Sequence, residues 1–154
     1  MGYILEDITK KTYSQNLNER IINKIGLKNT RFPDKIDLSK NEGYSFTFDG
    51  KNWEKVPEWN SSLAFSAGAI MSTPNDLNTF LNALFDGKLV SKTSLEQMKI
   101  MEDTYGKGLI IAPFGEKKFY GHTGGIESFR AAVGYSPEEN TSFAIIVNGD
   151  NYDR

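Results

Sequence analysis

YGHTGGIESFRAAVGYSPEENTSFAIIVNGDN, residues 120–151, is the stretch whose reading decides the fold. Phe129 to Tyr135 and Ser142 to Asn148 both read as strands, with apolar residues recurring at the strand period of two. Between them, Ser136-Pro137-Glu138-Glu139-Asn140 is turn chemistry. Connections this short join antiparallel neighbours. Working outward, Gly108–Ala112 and Lys118–Gly121 read as two more strands ahead of this pair. The only histidine of the chain, His122, stands between strands, beside the hydroxyl of Thr123 and among glycines.

Upstream the pattern is helical. Ile4, Leu5 and Ile8 fit one face of a short helix. Thr12-Tyr13-Ser14-Gln15 has the form of a capping box, in which Thr12 accepts from a free N–H and Gln15 reaches back. Leu17, Ile21, Ile22 and Ile25 then predict a helix from about Tyr13 to Lys24, closed by Gly26. From Arg31 to Ser66 no period lasts. Within that loop Tyr44–Phe48 alternates, and Asp49-Gly50 predicts a small hairpin. Loops of this length in compact domains are often functional. Thr73 is a helix cap, Pro74 suits the first helical position and Asp76 complements the helix dipole. Leu77, Phe80, Leu81 and Leu84 form the buried stripe, and Gly87 ends the helix. One more helix is expected from Lys92 to Ile100 behind Ser91. Helices and long loops followed by an antiparallel sheet make an α+β pattern. The expected organisation is a single domain over 1–154, with 1–103 mainly helix and loop and 104–154 mainly strands.

Composition narrows the function classes. The chain has 154 residues and a formal net charge of −2, which argues against electrostatic binding to nucleic acid or an anionic membrane. With no cysteine, disulfides, thiolate metal sites and a thiol nucleophile are excluded. One histidine makes a zinc site unexpected, and no cofactor is implied. No apolar run approaches the roughly 20 residues of a membrane span. The first residues lack the layout of a signal peptide, and the compartment is unknown. Asn148 to Asp153 is acidic but lacks the spacing of a calcium loop, and reads as a turn or frayed end. Asn60-Ser61-Ser62 and Asn140-Thr141-Ser142 are formal glycosylation sequons. Trp53 and Trp59 flank Pro57 and read as loop packing, with a substrate-side role as the alternative.

Two readings of FYGHTGGI, residues 119–126, stand side by side. Glycine pairs between strands are commonly turns or bulges, and a lone histidine is commonly structural. The functional reading is a strand edge lining a cleft. There, glycines let a substrate backbone approach, and an edge N–H is aimed at a developing oxyanion. That would be a wall of a site, with no base or nucleophile close by in sequence.

Three stretches together resemble the serine β-lactamase and penicillin-binding-protein-like hydrolases, in the class C-like branch of D-alanyl-D-alanine carboxypeptidases and esterases. GYILEDITKKTYSQNLNERIINKIGLKNT is similar to the helical segment after that family's tyrosine motif. SAGAIMSTPNDLNTFLNAL is similar to its Gly-rich turn and Ser-Thr-x-x-Asp-Leu helix start. The quoted stretch resembles its last active-site strand and the two strands that follow. The resemblance implies a partial β-lactamase/DD-peptidase-like fold and acyl-transfer chemistry. His122-Thr123-Gly124 matches the third family motif, K-T-G or H-x-G. On that resemblance His122 supports proton handling or substrate charge and is the catalytic candidate. Thr123 meets the substrate's acid group, Gly124 leaves room for the acyl chain, and Gly125 offers an N–H to the oxyanion hole.

The match is incomplete. No serine is followed three residues later by lysine, and no tyrosine is followed two residues later by asparagine. In the family both motifs precede the matching segment. The expectation is therefore a C-terminal part of such a hydrolase, inactive alone, whose complete form takes a small peptide, β-lactam or ester. The alternatives are a non-catalytic module binding peptidoglycan peptides, or a half-domain completed by another chain. Strands missing beside those present would leave an open sheet edge, so self-association or a partner strand is expected there.

Overall fold

A computed structural model describes residues 1–114 and 117–150; for Ser61 and residues 112–114 it describes the backbone alone. Helix α1 (Gly2–Thr9) leads into α2 (Tyr13–Leu17), a π turn (Asn18–Ile22) and α3 (Asn23–Ile25). The expected capping box is present in full between Thr12 and Gln15. Gly26 closes the segment at φ 72, the left-handed conformation that glycine adopts without strain. Leu17, Ile22 and Leu27 form a buried cluster, with Ile21, Ile25 and Phe32 packed against it. The π turn, absent from the sequence reading, carries Ile21 and Ile22 onto this cluster. The short helix at the start is where periodicity predicts it, but its apolar side is turned outward: Ile4 and Ile8 are 56% and 77% exposed. What α1 buries instead is Gly2, whose N–H donates to Ser66 Oγ at 3.2 Å.

The long loop is held by charge and by a small sheet. Strands β1 (Phe46–Phe48) and β2 (Trp53–Lys55) form the expected hairpin, and Asp49 accepts from the N–H groups of Lys51 and Asn52 at 2.7 Å. Arg31 donates through Nε and Nη2 to Glu42, both at 2.6 Å. That hydrogen bond, above all, holds the Glu42 carboxyl below the usual glutamate range; the Asp37 N–H helps and partial burial works the other way. Because the folded value lies below the unfolded one, the stabilisation is full above the unfolded value of about 4.3 and is lost as pH falls through the folded value. Glu42→Gln should flatten stability across that acid window and cost about 1 kcal/mol at neutral pH. Urea melts at about pH 7 and about pH 3.5 check this, and an unaltered acid slope contradicts it.

Beyond α4 (Ser61–Ala64), helix α5 (Pro74–Phe85) begins as expected, with Thr73 Oγ1 accepting from the Asp76 N–H at 3.3 Å. Asp76 is also buried, and its Oδ2 accepts from the Asn29 N–H at 2.7 Å and the Thr30 hydroxyl at 2.8 Å. This joins the loop after α3 to the helix start 46 residues later. Leu81 and Leu84 are the most buried of the predicted stripe. Helix α6 (Lys92–Met98) follows its Ser91 cap and is slightly shorter than expected.

The larger sheet is antiparallel throughout, in the order β3-β4-β5-β6, with β3 (Ile110–Phe114), β4 (Lys117–Ile126), β5 (Phe129–Ser136) and β6 (Thr141–Val147). Helix α5 packs across β5 and β6. At its end Phe85 stacks on Tyr135 with ring centroids 4.2 Å apart. The α+β expectation, helices and loops first and an antiparallel sheet last, is what the chain forms. Strand ends otherwise lie within two residues of expectation, with two larger differences. Strand β4 does not stop at Gly121 but runs through His-Thr-Gly-Gly to Ile126, because its register against β5 continues residue by residue to Ile126↔Phe129. And Gly149–Asp150, read as a turn or frayed end, forms β7, which pairs parallel to β1. The rest of that acidic stretch, from Asn151, lies outside the described residues.

Candidate active-site wall

The continuation of β4 decides the position of the candidate residues. Its pairing with β3 ends at Ile110↔Gly121, whereas its pairing with β5 goes on to Ile126. From His122 to Ile126, therefore, one edge of β4 has no strand beside it among the described residues. His122, Thr123, Gly124 and Gly125 are all exposed on this segment. Alternation along a strand puts Thr123 and Gly125 on one face and His122 and Gly124 on the other. All four sequence candidates thus share one open strand edge, with room for an extended substrate to lie against it.

His122 is the most constrained of the four. Its Nδ1 lies 2.6 Å from the Thr123 carbonyl oxygen, and its Nε2 lies 3.0 Å from the Tyr105 hydroxyl. Both ring nitrogens are occupied within the chain.

Beyond Gly125 the edge opens into a cleft of about 560 Å³, lined by Gly125, Ile126, Glu127 and Arg130 on the sheet side and by Trp59, Leu63, Ala64, Ala67 and Gly68 opposite. Trp59 and Leu63 are 57% and 75% exposed, so this wall is apolar and open. Trp59 is thus exposed beside the cleft and not packed away within the loop. Glu127 ties the two walls together. Its Oε1 accepts from the Trp59 N–H at 2.7 Å and its Oε2 from the Ser45 hydroxyl at 3.3 Å. Buried Ser45 in turn accepts from the Ser128 N–H at 3.3 Å. Arg130 is anchored to Asp150 at 2.7 Å and donates to the carbonyls of Glu127 and Phe129. The β7 pairing therefore also fixes the floor of the cleft.

Sequence reasoning missed Tyr105 and Glu127. Each acts through a partner 17 or more residues away, and no local spacing announces such a contact.

Comparison with known proteins bears on this arrangement. The Beta-lactamase family model matches residues 1–154. The chain belongs to the beta-lactamase family. This is a family of serine hydrolases. The chain is similar to the D-amino acid amidase from Ochrobactrum anthropi SV3, solved with L-phenylalanine amide, at 28% identity and a TM-score of 0.85, covering 99% of this chain and 48% of that one. It is similar to the D-stereospecific amidohydrolase from Streptomyces sp. at 26% identity and a TM-score of 0.84, covering 97% of this chain and 47% of that one. It is also 24% identical over 153 residues to PbpX of Bacillus subtilis (strain 168), which bears the name of a penicillin-binding protein; the match covers 98% of this chain and 38% of PbpX. The chain thus spans about half the length of the solved relatives and less of PbpX.

Proposed function

We propose that the chain supplies the third-motif wall of a serine acyl-transfer site. The reaction class is hydrolysis of an amide, β-lactam or ester, with D-configured amino-acid amides and peptides the preferred class. The observation that carries this reading is the His122-Thr123-Gly124-Gly125 segment, exposed on the open edge of β4 in a chain of the beta-lactamase family. The names of the two solved relatives support the D-configured substrates.

In this reading Thr123 is the side chain that meets the substrate. Its hydroxyl is exposed and makes no hydrogen bond among the described residues, so it is free to donate to an acid group. Gly124 and Gly125 place only backbone along the edge. There an N–H aimed at the developing oxyanion acts on the transition state, where charge stabilisation counts most. His122 polarises the site from beside this edge. The 154 residues contain no Ser-x-x-Lys and no Tyr-x-Asn, so the nucleophile and its base come from a polypeptide segment outside them. Alone, the wall forms no acyl-enzyme, because donors without an attacking group have nothing to stabilise.

The test is labelling with a fluorescent penicillin, whose carboxylate is the acid group Thr123 would meet, with and without a second polypeptide carrying the Ser-x-x-Lys and Tyr-x-Asn part of a family member. Labelling of the supplied serine should require both pieces and should weaken at least about tenfold with Thr123→Ala. Labelling that ignores Thr123 contradicts the role given to this edge.

The open sheet edge supports a partner strand. Among the described residues β3 and β6 are its two outer strands, and on β6 Ile145 and Val147 are 54% and 46% exposed. An open strand edge with apolar side chains is a template for another strand. The chain should therefore self-associate, or take up a partner strand, at β6. Sedimentation velocity over a wide concentration range checks this, and a strictly monomeric chain throughout counts against it.

A further inference from the structure

The contact between Tyr105 and His122 determines more than a ring position. The Thr123 carbonyl oxygen, 2.6 Å from Nδ1, can only accept a hydrogen bond. Nδ1 therefore carries a proton. In the neutral ring Nε2 is then the acceptor, and the Tyr105 hydroxyl, 3.0 Å away, is the donor. The two rings meet edge to face, with centroids 5.6 Å apart and planes at 87°. A histidine side chain free in water prefers its proton on Nε2, so this pair of contacts selects the less common tautomer.

The backbone around Tyr105 is built to hold it. Glu102 and Tyr105 exchange both backbone hydrogen bonds, at 3.0 and 3.2 Å, around Asp103 at φ 57. The next N–H, of Gly106, donates to the Leu109 carbonyl at 2.7 Å, and Leu109 is buried. Gly106 sits so tightly that a Cβ there would lie 2.3 Å from the Met98 carbonyl oxygen. With its backbone pinned on both sides, Tyr105 is held beside the imidazole, although the residue is 51% exposed.

We propose that Tyr105 is the positioning residue for His122, holding its imidazole as the Nδ1–H tautomer with Nε2 as the proton acceptor beside the Thr123–Gly125 edge. Its importance for catalysis rests on the reading of that edge as an acyl-transfer wall; the tautomer itself does not. The arrangement also survives a change of charge. If the ring takes up a proton at Nε2, the tyrosine hydroxyl turns from donor to acceptor and the bond is kept.

The experiment is long-range proton–nitrogen NMR on the 15N-labelled protein, read where the ring is neutral. A single histidine gives a single pair of ring nitrogens. The expected spectrum has Nδ1 protonated and Nε2 unprotonated. Tyr105→Phe keeps the ring contact and removes the donor, so both nitrogens should move toward averaged positions as the other tautomer becomes populated. The amide signals of β5 and β6 should stay in place. A wild-type ring protonated on Nε2, or a Tyr105→Phe variant with wild-type ring shifts, overturns the proposal. The wild-type spectrum decides by itself if the variant does not fold. If the tautomer is found but two-piece labelling fails, the hold on His122 stands and its catalytic meaning falls. If labelling succeeds with the other tautomer, only the role of Tyr105 is lost.

Discussion

Gly121→Ala should unfold the wall of the candidate site before it harms the rest of the chain. A Cβ at position 121 would lie 1.8 Å from the Val133 carbonyl oxygen and 2.8 Å from the Cα of Gly134, its partner across the ladder. These are backbone atoms of β5, so no rotamer change relieves the clash. Either β4 moves away from β5, breaking the pairing that carries His122 to Ile126, or the strand bends at the residue next to His122. Overpacking of this kind costs about 3 kcal/mol or more. In a chain of this size that corresponds to a melting temperature lower by roughly 6–12 °C. Thermal melts give the total. Amide exchange gives the location, with protection lost first along β4 and β5. A variant with wild-type stability contradicts the register described here.

Asp76→Ala should come next in size. Its carboxylate is the acceptor for two donors in a buried setting, the Asn29 N–H and the Thr30 hydroxyl. Removing the acceptor leaves the N–H without a partner, and an unpaired buried donor costs more than the net worth of the bond lost. A loss of about 3 kcal/mol is expected. Asp76→Asn keeps an oxygen in reach and should lose clearly less. Equal losses for the two substitutions would show that the hydrogen bonds to Asn29 and Thr30 are not what Asp76 contributes. The loop that follows the helical segment of residues 2–25 is joined to α5 here, and α5 lies on the sheet. The effect should therefore be a loss of global stability rather than a local loosening.

How far the sequence was legible depends on the range of the interaction. Thr12 with Gln15, and Thr73 with Asp76, are contacts within one helical turn, and both could be read from residue types at fixed spacing. So could the Asp49-Gly50 hairpin. Propensity alone ended β4 at Gly121, because Gly124 and Gly125 are poor strand formers held straight by pairing with β5; only the family resemblance pointed to a strand there. The parallel pairing of Gly149–Asp150 with β1 spans about a hundred residues and has no local signal. On α1 the period was right, yet which face is buried is set by Phe65 and Ser66 packing on Gly2, far along the chain. The site shows the same division. His122 through Gly125 formed a readable cluster because they are consecutive. Tyr105, which occupies the imidazole, and Glu127, which joins the two walls of the cleft, reach their partners only through the tertiary fold.

The central claim is that these residues form a wall of a serine acyl-transfer site and hold no nucleophile of their own. The most direct measurement is the intact mass of the protein after exposure to a fluorophosphonate and, separately, to a fluorescent penicillin. The account predicts an unchanged mass in both cases. A stoichiometric adduct on one serine of these 154 residues would contradict it.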